Sequence, residues 1–306
     1  MLVNLNDILP RARKNGYAVG AFNTSNLELT QAIINAAQRL DAPVIVATSE
    51  KAIKYAGIEN ISEMIIGMSK RARIPVVLHL DHGKSYELCT ECVKHGYTSV
   101  MIDASHLSFR DNVRLTRKVV RHAHKRGITV EAEIGRLAGI EDDLNVTKSE
   151  ALYTDPDEAV RFAEESFCDA LAVAIGTSHG AYKFKAKPRL RIDILKEIAT
   201  MVKIPLVLHG ASGVKQKWIS RVNQYGGKLQ NARGVPDRLI EKAVGNGIAK
   251  INTDTDLRIG FTAGIREFLD SNPTEFDPRA IVGAARDRVT EVVLDRIRVF
   301  GSEGKA

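Results

Sequence analysis

Residues 74–79 read Ile-Pro-Val-Val-Leu-His, and residues 204–209 read Ile-Pro-Leu-Val-Leu-His. The two hexapeptides lie 130 positions apart. Each is a short apolar run entered through a proline, which a strand tolerates at its first residue, and left through a histidine. Runs apolar at every position suit parallel strands covered on both faces. Six further runs share this character, at 17–22, 43–48, 98–103, 128–134, 170–175 and 247–252. Amphipathic helical patterns fall between them, near 27–40, 59–71, 85–95, 110–125, 156–167, 190–202 and 236–244. Two more, near 258–270 and 280–299, follow the last run.

Eight β-then-α units predict an α/β fold: one (β/α)8 (TIM) barrel spanning residues 1–306, with extra C-terminal helices. The 130-residue offset equals four units, so the third and seventh strands repeat each other as two half-barrels do. Nothing rich in Pro, Gly or Ser divides the chain. Two stretches, 135–155 and 210–235, are too long for plain barrel connections. Both follow strand C-termini, the end at which such barrels carry their chemistry.

Composition narrows the function classes. Hydrophobic residues make up 44% and charged residues 26% of the 306, which is globular composition. No apolar run approaches the roughly 18 residues that span a bilayer, and the N-terminus has no apolar signal-peptide core. Three cysteines, an odd and small number, fit a reducing cytoplasm. The net charge of +7 is scattered among acids, which reads either as an ordinary solvated mixed surface or as a bias toward small anionic substrates. There is no basic stripe with interleaved aromatics, which argues against nucleic acid as a partner.

Unusual polar residues gather at strand ends. The third strand leads into His79-Leu80-Asp81-His82-Gly83, the fourth into Asp103-Ala104-Ser105-His106, and the fifth contains Glu131 and Glu133. The sixth runs into Gly176-Thr177-Ser178-His179-Gly180, the seventh into His209-Gly210-Ala211-Ser212-Gly213, and the eighth into Asn252-Thr253-Asp254-Thr255-Asp256. One histidine beside an apolar strand is usually a hydrogen-bonded core residue. Four strands ending in histidine on one rim point instead to a divalent metal held by neutral nitrogens. His95, His122 and His124 fall on predicted helices and read as structural or surface residues. Cys89-x-x-Cys92 also falls on a helix, has no second pair, and reads as packing.

His-Gly-Ala occurs at both 179–181 and 209–211, and glycine there lets backbone N–H groups approach an anion. With Ser212 and residues 252–255 these turns suggest a phosphate cradle on the late strands. A metal that polarises a carbonyl, a carboxylate that moves a proton (Asp81, Glu133 or Asp103) and a phosphate site suit enolisation, aldol chemistry or hydrolysis. Residue types alone do not separate His79 from His82.

Seven motifs carry a resemblance over essentially the whole chain: Tyr17-Ala18-Val19-Gly20-Ala21-Phe22-Asn23, His79-Leu80-Asp81-His82-Gly83, Glu131-Ala132-Glu133-Ile134-Gly135, Gly139-Ile140-Glu141-Asp142, Gly176-Thr177-Ser178-His179-Gly180, Leu208-His209-Gly210-Ala211-Ser212 and Asn252-Thr253-Asp254-Thr255-Asp256. With them the chain resembles the class II fructose-bisphosphate aldolases, in the branch that also holds the tagatose-bisphosphate aldolases. The resemblance implies that Zn²⁺ is bound by His82, His179 and His209. Glu133 then takes a metal-associated position, and Asp103 an outer or alternative one. Asp81 is implied as acid/base at the substrate hydroxyl beside the broken bond, and Glu141, on the long loop after the fifth strand, as the group that moves the enediolate proton as that loop closes. Gly180, Gly210, Ser212, Asn252 and Thr255 are implied to hold a phosphate and Asp254 a sugar hydroxyl. Lys183 and Ser49 are weaker phosphate carry-overs. A monovalent cation (Na⁺ or K⁺) near the phosphate is common in the family, and Arg279 matches a position that reaches a neighbouring subunit's site. A homodimer or homotetramer is expected.

The implied reaction is reversible cleavage of fructose 1,6-bisphosphate to dihydroxyacetone phosphate and glyceraldehyde 3-phosphate, a glycolytic and gluconeogenic step. The strand-eight sequence Asn-Thr-Asp-Thr-Asp-Leu-Arg favours the fructose over the tagatose sugar. Absence of a lysine at the end of the sixth strand, where Ile175-Gly176 stands, argues against a Schiff-base route. A metal-dependent hydrolase would open with His-x-His on the first strand, which here ends Phe22-Asn23. A catalytically silent phosphosugar binder has no need of Asp81 and Glu141.

Overall fold

A computed structural model describes residues 1–135, 138–141, 144–146, 153–179 and 189–306 of the chain. The eight apolar runs form eight parallel strands: β1 (Val19–Asn23), β2 (Val44–Ser49), β3 (Val76–Gly83), β4 (Ser99–Ile102), β5 (Thr129–Ile134), β6 (Ala170–Val173), β7 (Leu206–Leu208) and β8 (Ile248–Thr253). They close into a barrel in chain order, with β8 returning to β1. Helices follow the strands, and Thr255–Ser271 and Pro278–Phe300 extend the chain past β8. The expected (β/α)8 barrel with extra C-terminal helices is what forms.

Strand alternation separates two apolar layers. Val76, Leu78, Leu80, Val130, Ala132 and Leu208 face the helices and join the larger core. Val19, Ala21, Ile45, Val77, Val207 and Ala249 face into the barrel and form a second cluster. The helix Leu5–Lys14 contributes Leu5, Ile8, Leu9 and Ala12 to that inner cluster. Its entry is fixed by a capping box between Asn4 and Asp7. Leu5 N–H donates to Thr129 Oγ1 (3.2 Å), Asn6 Nδ2 to Asp169 Oδ1 (2.9 Å) and Arg13 to the carbonyls of Ala199 and Val202. All these partners lie at or before strand starts. The helix therefore plugs the N-terminal mouth of the barrel and leaves chemistry to the other end.

Both long stretches carry structure of their own. Residues 210–235 contain the helix Gln216–Gln224. The segment that carries Glu141, expected as loop, is a strand over Ala138–Glu141. It pairs antiparallel with Leu144–Val146 and parallel with Ser178–His179, with Gly139 opposite His179. The backbone that bears Glu141 is thus hydrogen-bonded to the backbone that bears His179.

Because Leu9 is fully buried in the plug, Leu9→Ala should destabilise the fold by about 2–5 kcal/mol in denaturant titration. A change below about 0.5 kcal/mol, the usual size of a surface substitution, would contradict the plug.

Candidate metal and acid–base site

Two departures from regular strand geometry build the site. Along β3, Val77, His79 and Asp81 alternate with the outward Leu78 and Leu80, so a regular strand would turn His82 outward as well. The β3–β4 register slips by one residue between Leu80 and Gly83. His82 sits there at φ 47°, a left-handed conformation that costs a non-glycine residue about 1–3 kcal/mol. This bulge re-aims the imidazole toward the barrel axis. A second slip lies in β8, where Leu206 pairs with Ile248 but Val207 pairs with Lys250. It turns Lys250 and Asn252 inward beside Val19 and Ala21.

Asp81, His82 and His209 offer ligand atoms that all lie within 4.8 Å of one another, and so do His82, Asp103 and Glu133. The His82 and His209 ring centroids are 4.6 Å apart. His82 Nδ1 lies 3.0 Å from Asp103 Oδ2, and Asp103 Oδ1 accepts from the Ser105 hydroxyl at 2.8 Å. A proton on Nδ1 directed at Asp103 leaves the lone pair on Nε2, the arrangement a metal ligand needs. Burial alone would raise the Asp103 carboxyl; His82 and Ser105 outweigh it and hold it well below the usual range. His209 Nε2 lies 2.9 Å from Glu131 Oε1, and Nδ1 lies 3.1 Å from Glu133 Oε2. Glu133 Oε2 is also 3.8 Å from His82 Nδ1. Two imidazoles, each backed by a carboxylate, with Asp81 and Glu133 alongside, form a mixed N/O donor set that fits a Zn²⁺-type cation.

His79 belongs to neither cluster. Its Nδ1 is 2.8 Å from Ser99 Oγ, deep in the barrel. Burial, with Lys250 nearby, pushes it down to about 3, so it stays neutral. Although the sequence repeat aligns His79 with His209, the bulge brings His82 to the site. His106 is exposed, so among the described residues β4 supplies Asp103 and not its histidine. His95, His122 and His124 lie on or at the ends of outer helices, beside Glu91, Tyr86 and Asp169. Cys89 and Cys92 are buried and reduced, and burial raises Cys89 to about 12, as packing requires.

The Asp81 carboxylate accepts from Asn23 Nδ2 (2.8 Å) and Asn252 Nδ2 (2.7 Å). Asn252 Oδ1 accepts from Lys250 Nζ at 2.7 Å, and the same ammonium lies 3.0 and 2.9 Å from the two oxygens of Glu131. Residue types and motifs alone give Asn23, Lys250 and Glu131 no role. A lysine inside the apolar run IAKINT was the available signal, since a buried ammonium needs a buried carboxylate.

At the rim, Gly210 has φ +60°, and a Cβ there would come within 2.8 Å of the Ser178 carbonyl oxygen. Ser212 is buried, and the next two backbone N–H groups, Gly213 and Val214, donate to Asp256 at 2.7 and 2.6 Å. Thr255 opens the helix Thr255–Ser271, and Asp254, at its cap position, turns its carboxylate to Arg258. A neighbouring cavity of about 450 Å³ is lined by Asn23, Ser49, Lys51, Tyr55, Asp254 and Arg258, among others. Arg279 is exposed at the start of the last helix, 2.6 Å from Asp277. The side chains of His179 and Glu141, and residues Gly180 and Lys183, lie outside the described residues.

Burial pushes His209 down, but the Glu133 carboxylate and the Glu131 hydrogen bond outweigh it and raise the metal-free imidazole from 6.5 to about 9. That proton stabilises the metal-free fold fully below the unfolded value of 6.5, and its contribution is lost as pH rises through about 9. A metal bound through His209 would have to displace it. Zinc affinity, measured by chelator competition, should therefore climb roughly tenfold per pH unit, in addition to any buffer effect, and level off above about 9. An affinity flat from about 7 to 9 would contradict this.

The Fructose-bisphosphate aldolase class-II family model matches residues 3–305. The chain is 53% identical to the fructose-bisphosphate aldolase of Thermus caldophilus and 47% identical to that of Helicobacter pylori strain 26695, in each case over 306 residues and all of both chains. Among solved structures it resembles the YdjI aldolase from Escherichia coli K12, at 34% identity and a TM-score of 0.82 over all of both chains. The barrel, the paired imidazoles and the full-length likeness agree: the chain belongs to the class II fructose-bisphosphate aldolase family.

Proposed function

We propose that the chain catalyses the reversible aldol cleavage of fructose 1,6-bisphosphate to dihydroxyacetone phosphate and glyceraldehyde 3-phosphate. The observation that carries this reading is a buried carboxylate, Asp81, fixed by two amides beside His82 and His209. His82, His209 and His179 are the proposed zinc ligands, with Glu133 and Asp103 as their carboxylate neighbours. When bound, zinc supplies a Lewis acid that polarises the ketose carbonyl and stabilises the charge left after carbon–carbon cleavage.

The chain's own residues do the rest. Asp81 takes the proton from the C4 hydroxyl in the cleavage direction and returns it in the condensation. Asn23 and Asn252 hold its two oxygens so that it need not reorient between the two. Glu141 delivers the proton that completes the three-carbon ketone; the pairing of its strand with Ser178–His179 supports a place near the metal. Gly180, Gly210, Ser212 and Thr255 receive one phosphate at the N-terminus of the helix Thr255–Ser271, with Asp254 on a sugar hydroxyl and Asn252 alongside. The cavity holding Ser49, Lys51 and Arg258 suits the other phosphate. Lys183 and a neighbouring copy's Arg279, within a homodimer or homotetramer, complete this reading, as does a monovalent cation beside the phosphate. β1 brings Asn23, not a histidine pair, to the site, which favours the aldolase over a metal-dependent hydrolase. Among the described residues no helix is long and apolar enough to cross a membrane; a cytoplasmic location belongs to the same proposal.

Coupled assays on fructose and tagatose 1,6-bisphosphates test it. Fructose bisphosphate should be the better substrate, with turnover abolished by EDTA and restored by Zn²⁺. Undiminished cleavage by metal-stripped protein would overturn the reading. Asp81→Asn should lower kcat by about 10²–10⁴-fold, the range for loss of a general acid–base, with KM within a few-fold of wild type. A kcat within about twofold of wild type would remove Asp81 from that role.

A further inference from the structure

Lys250 is fully buried at the centre of the barrel, and so is Glu131. Its ammonium has donors only. It lies 2.7 Å from Asn252 Oδ1, so the amide nitrogen of Asn252 must face the other way, where it meets Asp81 Oδ1 at 2.7 Å. The opposite amide orientation would set an NH₂ group against an ammonium and a carbonyl against a carboxylate. On its other side Lys250 meets both oxygens of Glu131, and Glu131 Oε1 also lies 2.9 Å from His209 Nε2. One side chain thus borders two chains of contact, one ending on the proposed acid/base and one on a proposed metal ligand. The β8 bulge is what turns it inward.

We infer that Lys250 is a positioning residue for both halves of the site, aiming Asp81 through Asn252 and holding His209 through Glu131. It touches no reacting atom. The inference rests on the reading of Asp81 and His209 given above. Apolar packing does not require this lysine, because a buried ion pair is often replaceable by neutral groups of similar shape without loss of stability.

Lys250→Met alone strands the Glu131 charge and is prone to misfold. The test therefore uses Lys250→Met/Glu131→Gln, in which the new side-chain amide at position 131 keeps an acceptor for His209. Folding is checked by thermal melting and circular dichroism. The folded double variant should lose about 10–100-fold in kcat and in the zinc affinity of the metal-free protein, the range for residues that support metal ligands. KM should stay within about threefold, because no substrate contact is removed. Asn252→Ala is then made in both backgrounds. Where Lys250 acts through Asn252, the double variant should cost kcat less than about threefold more once Asn252 is gone. Wild-type kcat or wild-type zinc affinity in the folded double variant overturns the inference, as do kcat losses that multiply fully. A fully active Asp81→Asn protein overturns instead the reading of Asp81. An inactive Asp81→Asn beside an unimpaired double variant overturns the role of Lys250 alone.

Discussion

Charge inside an apolar barrel is the constraint on which the rest depends. Asp81, Asp103 and Glu133 are buried toward the C-terminal end of the strands, and Glu131 is buried at the centre of the barrel. Among the described residues that bond to them, Lys250 supplies an ammonium, and His209 is an imidazole raised toward its charged form. So many acidic groups in a low-dielectric interior cost several kcal/mol each unless matched. The outer barrel and the N-terminal plug are built from aliphatic residues and could fold around a neutral interior. The acidic surplus suits the centre to a cation, and the two imidazoles beside it are donors of the kind a Zn²⁺-type ion takes.

Regular strands cannot arrange this. Strict alternation would send His82 toward the helices and place Lys250 and Asn252 on the outer face. One extra residue in β3 and one in β8 reverse those directions. The strained φ of His82 persists because Asp103, Glu133 and His209 surround its ring. The bulges fall on strands at well-separated positions around the barrel, so they bring chemistry from both sides to a common axis. Strain and buried charge, each unfavourable alone, occur where the proposed chemistry needs them.

Much of this was legible in the sequence. All eight strands could be read because parallel strands are apolar on both faces, and the site rim followed from where polar residues interrupt them. The choice between His79 and His82 could not be made from residue types, because period-two alternation favours His79, which shares a face with Asp81. Only the bulge, which leaves no compositional mark, brings His82 in. The plug helix was obscured by Pro10 in its interior, normally a breaker, although Leu5, Ile8, Leu9 and Ala12 keep helical spacing. His106 suggested a fourth metal-facing histidine because it sits three residues past Asp103. The chain has left the strand by then, and Asp103 makes the contact. Lys250 was hidden inside an apolar run, and its partner Glu131 belongs to a different strand.

Anomalous diffraction at the zinc edge from crystals of the zinc-loaded protein tests the central claim most directly. One ion should appear about 2.0–2.1 Å from an imidazole nitrogen of both His82 and His209, the usual Zn–N distance, with Glu131 still on His209 Nε2 and Asp103 still on His82 Nδ1. Zinc bound elsewhere, or no peak between these two rings at saturating metal, would contradict it.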